Sequence, residues 1–559
     1  MAWQDQFVWW KLVIFLVVTF LLISFAVPSG REALSGLHSH SSVDKDLESW
    51  CPLPDPPKQS NDTLRNLTLF QDEAALELQV ERLSAAVNVP TQSYDDESDV
   101  DDKKWATFEQ LHSVLEKLFP LVHNRLKLER VNKYGLLYTL DGSLQDLKPI
   151  LFMAHQDVVP GGDPSKWKYD PFSAHFDGQW LWGRGSSDCK NNLIGLLSTM
   201  ETLLAHDFAP KRSIMFSFGF DEEVGGQRGA AHLAPYIEKN LGKDSIHMII
   251  DEGGMGINLL GDVAYALPAT AEKGFLDIVM TLTTDGGHSS RPPPHTAIGI
   301  MSKLIVALED HPFAPVITTE NPFHGYLKCQ AKYSPNHVES WLPKALKSRD
   351  PDLGPKIAES RGGEARWSIQ TSQAVDIIAG GEQDNQLPGQ VQTTINYRVL
   401  PTDDIDTLLA STADLVAPLA HSYGVAVDGF GYSDAPSAYP SGLLNLTTRS
   451  RLPASPITPS DAADDVWTLF AGSIRAVFED VDTLPGAKMV VPVASIMTGN
   501  TDTQHYWNLS KHIFRFTPRR EGTTEGVHGV DERVDMKAHL EGMRWYAEVM
   551  RIFGEREVE

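Results

Sequence analysis

Three short apolar segments in the middle of this chain each end just before acidic residues or a histidine. Segment 150–153 is followed by His155, segment 214–218 by Asp221-Glu222-Glu223, and segment 246–250 by Asp251. Apolar runs of roughly four to eight residues indicate strands buried on both faces. A helical spacing of leucines over 191–204 separates the first segment from the second. Strands that alternate with helices predict a βαβ sheet, which gathers these polar side chains at one edge.

A second pattern begins after Glu272-Lys273-Gly274. Residues 276–283 and 391–399 alternate between apolar and polar like half-buried strands, and 296–308 has the spacing of a helix. A chain of 559 residues is too long for one hydrophobic core, so an inserted α+β domain is expected beside the α/β domain. The predicted bounds are 272–430 for the insertion and, for the α/β domain, 66–271 and 431–559.

The N-terminal region has the pattern of a membrane anchor. Residues 8–27 are apolar apart from Lys11 and a few small polar residues, and about 20 residues span the ~30 Å hydrocarbon core as a helix. We therefore predict a transmembrane signal-anchor over 1–27, followed by a stalk over 28–65. A cleaved signal peptide is the alternative, because Ser24-Phe25-Ala26 could precede a cleavage site.

Four Asn-x-Ser/Thr triplets accompany this predicted anchor. They begin at Asn61, Asn66, Asn445 and Asn508. Such triplets become glycosylation acceptors only in a chain that enters a secretory compartment. Together with the anchor they predict that the bulk of the chain lies on the lumenal side of a membrane.

The composition argues against two kinds of site. Lys+Arg 48 against Asp+Glu 74 gives a net charge of −26, whereas a nucleic-acid partner requires a positive surface. Cys51, Cys189 and Cys329 cannot form a disulfide framework, and they lack the paired spacing of a thiolate zinc site. Any zinc in this protein must therefore be held by histidine and carboxylate side chains.

The polar residues at the predicted sheet edge suit such a centre. His155, just past a strand end, can offer an imidazole nitrogen to zinc, while Asp157 accepts its other N–H. Asp188, in a glycine-rich turn before a helix, can bridge two cations, cap that helix, or do both. Adjacent side chains on a turn point in different directions, so one of Glu222 and Glu223 can bind metal while the other takes a proton from water.

Two ligand positions stay open on the residues alone. Asp251 ends its apolar segment as His155 does, and Glu252 is its rival. The final imidazole could come from His505, His512 or His528. Composition and spacing do not choose among them.

Six stretches of the chain resemble, in order, the signature blocks of the zinc aminoacylase/carboxypeptidase metallopeptidase family. They are MAHQDVVP, GRGSSDCKNN, DEEVGG, IIDEGG, GGHSSRPP and GVHGVDE, and the resemblance covers about residues 70–555. Within the family the chain looks most like the membrane-anchored Gly-X carboxypeptidases of fungal vacuoles. The resemblance implies a three-layer α/β/α catalytic domain with an inserted α+β lid and dimerisation domain.

The resemblance also implies two Zn²⁺ per chain and a role for each matching residue. It assigns His155 and Asp251 to one zinc, Glu223 and His528 to the other, Asp188 as the bridge, Glu222 as general base, and Asp157 as the residue that orients His155. It further assigns His288 to the substrate oxyanion, in dimeric members across the subunit interface, and Asn385 and Arg398 to substrate binding. Cys189 stands where many members carry another residue, and 313–379 is longer than in compact members.

Three functions are compatible with these residues. The first is a zinc carboxypeptidase that releases a C-terminal amino acid from short peptides, with glycine in the penultimate position. The second is an N-acyl-amino-acid amidohydrolase or synthase with a more apolar acyl pocket. The third, a non-catalytic peptidase-like ectodomain, is disfavoured because all five ligand positions are filled. The resemblance places the protein in the vacuolar membrane, single-pass, with the catalytic part lumenal and a homodimer formed through the lid domain.

Overall fold

The computed structural model describes residues 47, 49–57, 70–96, 99–481, 484 and 486–556. The predicted signal-anchor and the triplets at Asn61 and Asn66 lie outside these residues. Among the residues that are described, no helix has the length and apolar character needed to cross a bilayer. The chain divides into two units, 1–50 and 51–559, and every element below belongs to the second.

An eight-stranded mixed sheet is the centre of the α/β domain. In the order of their pairing its strands are β1 (Lys127–Val131), β2 (Gly135–Leu140), β6 (Ile214–Gly219), β3 (Ile150–His155), β7 (Met248–Asp251), β21 (Ile513–Arg515), β10 (Ala269–Glu272) and β20 (Ser495–Met497). β3 runs parallel to both β6 and β7, and β7 runs parallel to β21. The carboxyl ends of these strands therefore meet at one edge.

Helices cover both faces of this sheet. One layer contains α1 (Glu73–Val87), α2 (Thr107–Leu118), α3 (Pro120–Arg125), α4 (Lys190–Ala205), α12 (Asp465–Phe478) and α13 (Met536–Glu555), and α5 (Ala230–Leu241) lies on the opposite face. Strand β3 shows the division, because Ile150 and Phe152 pack in the cluster with α4 while Leu151 and Met153 pack in the cluster with α5. Adjacent strand residues point to opposite faces. The predicted three-layer α/β/α fold is confirmed.

A six-stranded sheet with its own core forms the insertion. Its strands are, in order, β13 (Ser372–Gly380), β15 (Gln390–Val399), β11 (Gly274–Thr283), β18 (Gly442–Leu452), β16 (Val425–Gly429) and β17 (Tyr432–Ser433). Helices α6 (Ala297–Glu309) and α11 (Ile405–Ser422) share this core. This is the expected α+β insertion. Its sheet includes β17 and β18, which lie beyond residue 430, and the domain bounds stay predictions.

Smaller elements complete the fold. Four further helices are α7 (Pro322–Tyr333), α8 (Leu342–Ser348), α9 (Leu353–Arg361) and α10 (Gly363–Trp367). The remaining strands are β4 (His175–Phe176), β5 (Trp180–Trp182), β8 (Ile257–Leu260), β9 (Val263–Ala266), β12 (Gly287–His288), β14 (Gln386–Leu387), β19 (Met489–Pro492), β22 (Thr524–Glu525) and β23 (Arg533–Asp535). Strand β23 pairs with β5, and β12 pairs with β14.

A disulfide joins Cys51 to Cys329 on α7. Three cysteines make no framework, but this single bond was not predicted, because its partners lie 278 positions apart in sequence. Tyr333, also on α7, donates from its hydroxyl to the carbonyl of Cys51, and Arg475 on α12 donates to the carbonyl of Pro54. The described end of the predicted stalk is therefore held against two helices.

Candidate metal centre

Strand ends bring most of the predicted site residues to one edge of the large sheet. His155 is the last residue of β3, Glu222 and Glu223 form a short 3-10 turn after β6, and Asp251 ends β7. Asp188 joins them from the turn directly before α4. Because these strands are parallel, their carboxyl ends open into one crevice, which is where α/β sheets bind ligands.

A first cluster forms around the buried imidazole of His155. Its Nε2 lies 3.1 Å from Oε1 of Glu252, 3.3 Å from Oδ1 of Asp188 and 3.9 Å from Oε2 of Glu222. The thiol of Cys189 belongs to the same group, since one potential ligand atom each of His155, Asp188, Cys189 and Glu252 lies within 4.8 Å of the others. One imidazole nitrogen and several carboxylate oxygens, here from His155, Asp188 and Glu252, are a donor set that zinc takes in proteins.

A second cluster shares Asp188 with the first. Nε2 of His528 lies 3.1 Å from Oδ2 of Asp188 and 2.9 Å from Oε2 of Glu223. Asp188 thus presents Oδ1 to His155 and Oδ2 to His528. A carboxylate with one oxygen in each of two neighbouring donor sets has the geometry of a bridge between two cations.

Asp157 supports both clusters from behind. Nδ1 of His155, on the ring side away from the cluster, lies 2.9 Å from the backbone carbonyl oxygen of Asp157 and 3.2 Å from its Oδ1. The same fully buried carboxylate accepts hydrogen bonds from the hydroxyl of Ser93 and from the backbone N–H groups of Glu222 and Glu223. Asp157 therefore fixes the orientation of His155 and the position of the turn that carries the two glutamates.

Asp251 belongs to neither cluster. Its Oδ1 accepts the backbone N–H of Glu252, and its Oδ2 is buried without a partner among the described residues. Burial, and then the nearby Glu252 carboxylate, raise the pKa of Asp251 to about 8. Of the two acidic residues that the sequence left open, Glu252 faces His155 and Asp251 does not.

The three candidate histidines are also separated by the structure. His505 interacts through Nε2 with the carbonyl of Gly225, and His512 pairs with Asp464 at the start of α12. Only His528 of the three lies in a described cluster of potential ligands.

The electrostatics of the two clusters favour bound cations. Burial raises the pKa values of Glu222, Glu223 and Glu252 above their usual range. Hydrogen bonds to Asp188 and Glu223 raise the pKa of His528 to about 10. Crowded carboxylates repel one another when ionised, and positive charge between them removes that repulsion.

The predicted substrate residues lie on the insertion. His288, exposed on β12, accepts hydrogen bonds at Nδ1 from Ser290, and the backbone N–H of Ser289 donates to the carbonyl of Asn385. Within the described part of the chain, no hydrogen bond or ion pair links His288 to either cluster. Arg398, on β15, donates to the amide oxygen of Asn500, whose own amide donates to the carbonyl of Lys273 at the start of the insertion.

Sequence reasoning missed Glu532. This carboxylate is fully buried and accepts hydrogen bonds from the backbone of the turn that carries Asp188. The only signal was its place at the end of the GVHGVDE block, four residues after His528. A glutamate next to Asp531 in a glycine-containing loop is expected to be exposed to solvent. The sequence does not show that its backbone partners, which are distant along the chain, bury it.

The sequence profile described as peptidase family M20/M25/M40 matches residues 151–552. The chain belongs to this family. Among relatives, carboxypeptidase S of Saccharomyces cerevisiae is 38% identical over 493 residues, 86% of this chain and 85% of that protein. The N-fatty-acyl-amino acid synthase/hydrolase of Mus musculus is 29% identical over 496 residues, 86% of this chain and 89% of that protein.

Solved structures share the fold of this M20 chain. An M20 family metallo-carboxypeptidase from Sulfolobus solfataricus superposes with a TM-score of 0.58 at 18% identity, over 86% of this chain and 99% of that one. Human carnosine dipeptidase 1 gives a TM-score of 0.57 at 14% identity, over 88% of this chain and 98% of that one. The predicted family is confirmed, and the chain is a metal-dependent peptidase.

Proposed function

We propose that this M20 enzyme is a dinuclear zinc carboxypeptidase that releases the C-terminal residue of short peptides, with glycine in the penultimate position. The observation that carries the two-metal part is the division of Asp188 between two donor sets, with His155 at one oxygen and His528 at the other. Carboxypeptidase S, similar over most of both chains, supports the choice of reaction. The glycine preference comes from the resemblance of the six sequence blocks.

The proposed ligands follow the contacts. His155 and Glu252 would hold one zinc, Glu223 and His528 would hold the other, and Asp188 would offer one oxygen to each. Glu252 replaces Asp251 in this assignment because Glu252 lies 3.1 Å from His155, whereas Asp251 bonds the Glu252 backbone. Asp251 remains the alternative ligand, because its buried Oδ2 has no partner among the described residues.

The chemistry assigns a proton-transfer role to Glu222. Bound zinc supplies Lewis acidity and lowers the pKa of a water to about 7. The Glu222 carboxylate lies 3.9 Å from Nε2 of His155 and belongs to neither proposed ligand set. It therefore remains free to accept a proton from the attacking water and to pass that proton to the leaving amine. Burial raises the pKa of Glu222 above its usual range.

In this proposal, residues of the insertion bind the substrate. Arg398 can grip a free C-terminal carboxylate with two parallel N–H groups, which makes the enzyme act at a chain end. His288 donates to the substrate oxyanion, and Asn385 binds the substrate next to it. Hydrolysis of a blocked Gly-Leu dipeptide and of its C-terminal amide tests this assignment. Release of leucine from the acid alone is expected, and equal rates on both would contradict it.

A homodimer through the lid is part of the same proposal. Strand β13 is an edge strand, and its Ile377 and Ile378 are 48% and 54% exposed. Ile298 and Val306 of α6 add exposed apolar surface. A second copy that covers these side chains would also let His288 act across the subunit boundary. Light scattering on the purified chain should give twice the monomer mass, and charged substitutions at Ile377 and Ile378 should halve it.

We place the enzyme in the vacuolar membrane, single-pass, with its catalytic part lumenal. The Cys51–Cys329 disulfide suits an oxidising compartment, and Asn445 and Asn508 are exposed as glycan acceptors must be. A mobility shift after glycosidase treatment, together with resistance to alkaline extraction from membranes, is expected. A soluble, unglycosylated protein would contradict this location.

The second candidate function is hydrolysis or synthesis of N-acyl amino acids. The similarity to the mouse N-fatty-acyl-amino acid synthase/hydrolase over 86% of this chain favours it. The same ligands would serve, and only the pocket for the acyl side would differ. Parallel assays on blocked Gly-Leu and on an oleoyl amino acid separate the two. Faster turnover of the oleoyl substrate would replace the carboxypeptidase proposal with this one.

A further inference from the structure

The side chain of Glu532 is a hub of hydrogen bonds next to the metal centre. Its Oε1 accepts from the backbone N–H groups of Gly185, Ser187 and Asp188 at 3.0, 2.9 and 3.2 Å, and from the Ser187 hydroxyl at 3.1 Å. Its Oε2 accepts from Nη1 of Arg184 at 2.6 Å. Glu532 is 0% exposed, so it cannot replace these partners with water. The turn that presents Asp188 is thus built around one carboxylate.

Arg184 extends this network to the loop of His528. While Nη1 pairs with Glu532, Nη2 donates to the carbonyl of Gly529 at 2.9 Å, directly after His528. The guanidinium also lies over the ring of Trp167, 5.2 Å from its centroid. A planar guanidinium with several fixed N–H groups can hold two partners at a set separation, which a lysine ammonium cannot do.

The backbone reinforces the link between the two loops. Gly183 donates its N–H to the carbonyl of Glu532 at 2.8 Å, in continuation of the pairing between β5 and β23. The loop of Asp188 and the loop of His528 are therefore joined by this main-chain bond as well as by the side-chain hydrogen bonds of Glu532 and Arg184. A shift of either loop is transmitted to the other.

The two predicted metal positions differ in how much they depend on this link. His155 ends a central strand and its side chain is 1% exposed, whereas the side chain of His528 is 54% exposed. His528 also lies on a loop with positive φ at His528 and Asp531, of 56° and 61°. Such φ values are uncommon in non-glycine residues, so contacts around the loop help to hold this conformation. The position of His528 thus relies on contacts outside its own loop.

We propose that Glu532 and Arg184 are positioning residues that set the separation between Asp188 and His528. They thereby control the affinity of the cation position formed by Asp188, Glu223 and His528 more strongly than that of the position at His155 and Glu252, which shares only Asp188 with this network. This inference rests on the two-metal proposal. The pair acts through the ligands and touches neither the substrate nor the metal.

Zinc titration of the full-length enzyme tests this proposal. Wild type, Glu532→Gln and Arg184→Lys are equilibrated at buffered free zinc concentrations, and bound metal is counted by mass spectrometry. Loss of outer hydrogen-bond partners typically weakens metal affinity by about 10–100-fold. We expect the binding of one ion to weaken by about that factor in both variants, while the binding of the other ion, whose position shares only Asp188 with the network, weakens clearly less. Turnover of the variants should recover at high zinc, which a general loss of structure does not produce.

Glu541→Gln is the matched control. Glu541 is also buried and paired with an arginine, Arg520, at 2.7 Å, and in the described part of the chain no hydrogen bond or ion pair joins it to either ligand loop. The Glu541→Gln variant should bind both zinc ions with the same affinities as wild type. Arg184→Lys keeps a positive charge beside Glu532, so it provides a milder variant where Glu532→Gln does not fold. Unchanged affinities in the two variants, or equal weakening of both ions, would overturn the inference. A wild type that binds fewer than two ions would overturn the two-metal proposal itself, and this inference with it.

Discussion

Glu222 and Glu223 are neighbours in sequence and have different environments. Oε2 of Glu223 lies 2.9 Å from His528, whereas Glu222 approaches His155 only to 3.9 Å. The 3-10 turn points the two side chains apart, and Asp157 fixes that turn through both backbone N–H groups. One glutamate can therefore be a ligand while its neighbour handles protons.

Replacement of Glu222 by glutamine should separate these roles. Glutamine keeps the size of the side chain but cannot accept a proton, so kcat should fall by about 10²–10⁴-fold, the usual contribution of a general base. Metal content should stay at the wild-type value. Glu223→Gln is the comparison, since it should lose metal as well as turnover. Near-native kcat in Glu222→Gln would contradict the general-base role.

The choice between Glu252 and Asp251 gives a second prediction at this scale. Glu252→Gln should weaken zinc binding by more than the ~10–100-fold typical of outer partners. Asp251→Asn should have a smaller effect, because burial already raises the pKa of Asp251 to about 8 and asparagine resembles the protonated side chain. Chelator competition on both variants measures the difference. A larger loss in Asp251→Asn would restore Asp251 as the ligand.

From the sequence alone, the site could be predicted to lie at the ends of buried strands. Buried strands are recognisable as apolar runs, so the convergence of His155, Asp188 and Glu223 at one edge was predictable. The direction of each side chain was not, because neighbouring strand residues point to opposite sides and the end of β7 could be read in either register. The link from Glu532 to Asp188 joins positions 344 residues apart, and no local pattern encodes it.

At the scale of elements, helix α7 shows what the pattern could not supply. Its sequence lies in the long segment 313–379, where the family blocks give no guidance. The structure bonds Cys329 of this helix to Cys51 and packs it with β9 and β19 in one apolar cluster. Periodicity predicted several strands of both sheets, such as β3, β6 and β11, and some flanking helices, such as α4 and α6, but the contact between Cys51 and α7 depends on the whole fold.

The disulfide leads to a prediction about stability. Cys329→Ser should lower the free energy of unfolding by about 2–4 kcal/mol, because the bond restrains a long loop in the unfolded chain. Denaturant titration measures this loss. Cys51→Ser should cause the same loss and the double variant no more, since both remove one bond. Additive losses would show that the two thiols act independently.

At the scale of the whole molecule, the balance of buried charge should make stability depend on pH and on metal. Without cations, burial first and neighbouring carboxylates second raise the pKa of Asp251 to about 8 and that of Asp221 to about 6. Both values exceed the ~3.9 of an unfolded aspartate. Their contribution to folding is therefore fully present below about pH 4 and is lost as pH rises through these pKa values.

Between about pH 5.5 and pH 8 these two carboxyls should destabilise the chelated protein, whereas buried His112, His247 and His539, whose pKa values burial lowers to about 4, act in the opposite direction. Metal binding requires deprotonated ligands, so zinc should stabilise the fold more as pH rises. The difference in Tm between zinc-loaded and chelated protein should widen over this range. Calorimetry of the zinc-loaded and the chelated protein at the two pH values measures this difference in Tm. A difference that narrows as pH rises would contradict the assignment of raised carboxyl pKa values to the metal centre.

The most direct test of the account is a joint measurement of metal content and hydrolysis on the purified protein. Blocked Gly-Leu is the substrate, and the assay is run with and without chelator. Two clusters that share Asp188 predict about two zinc ions per chain and release of leucine that stops when the chelator removes them. Leucine release that survives complete removal of metal would contradict the account, because Glu222 would then act without the centre around it.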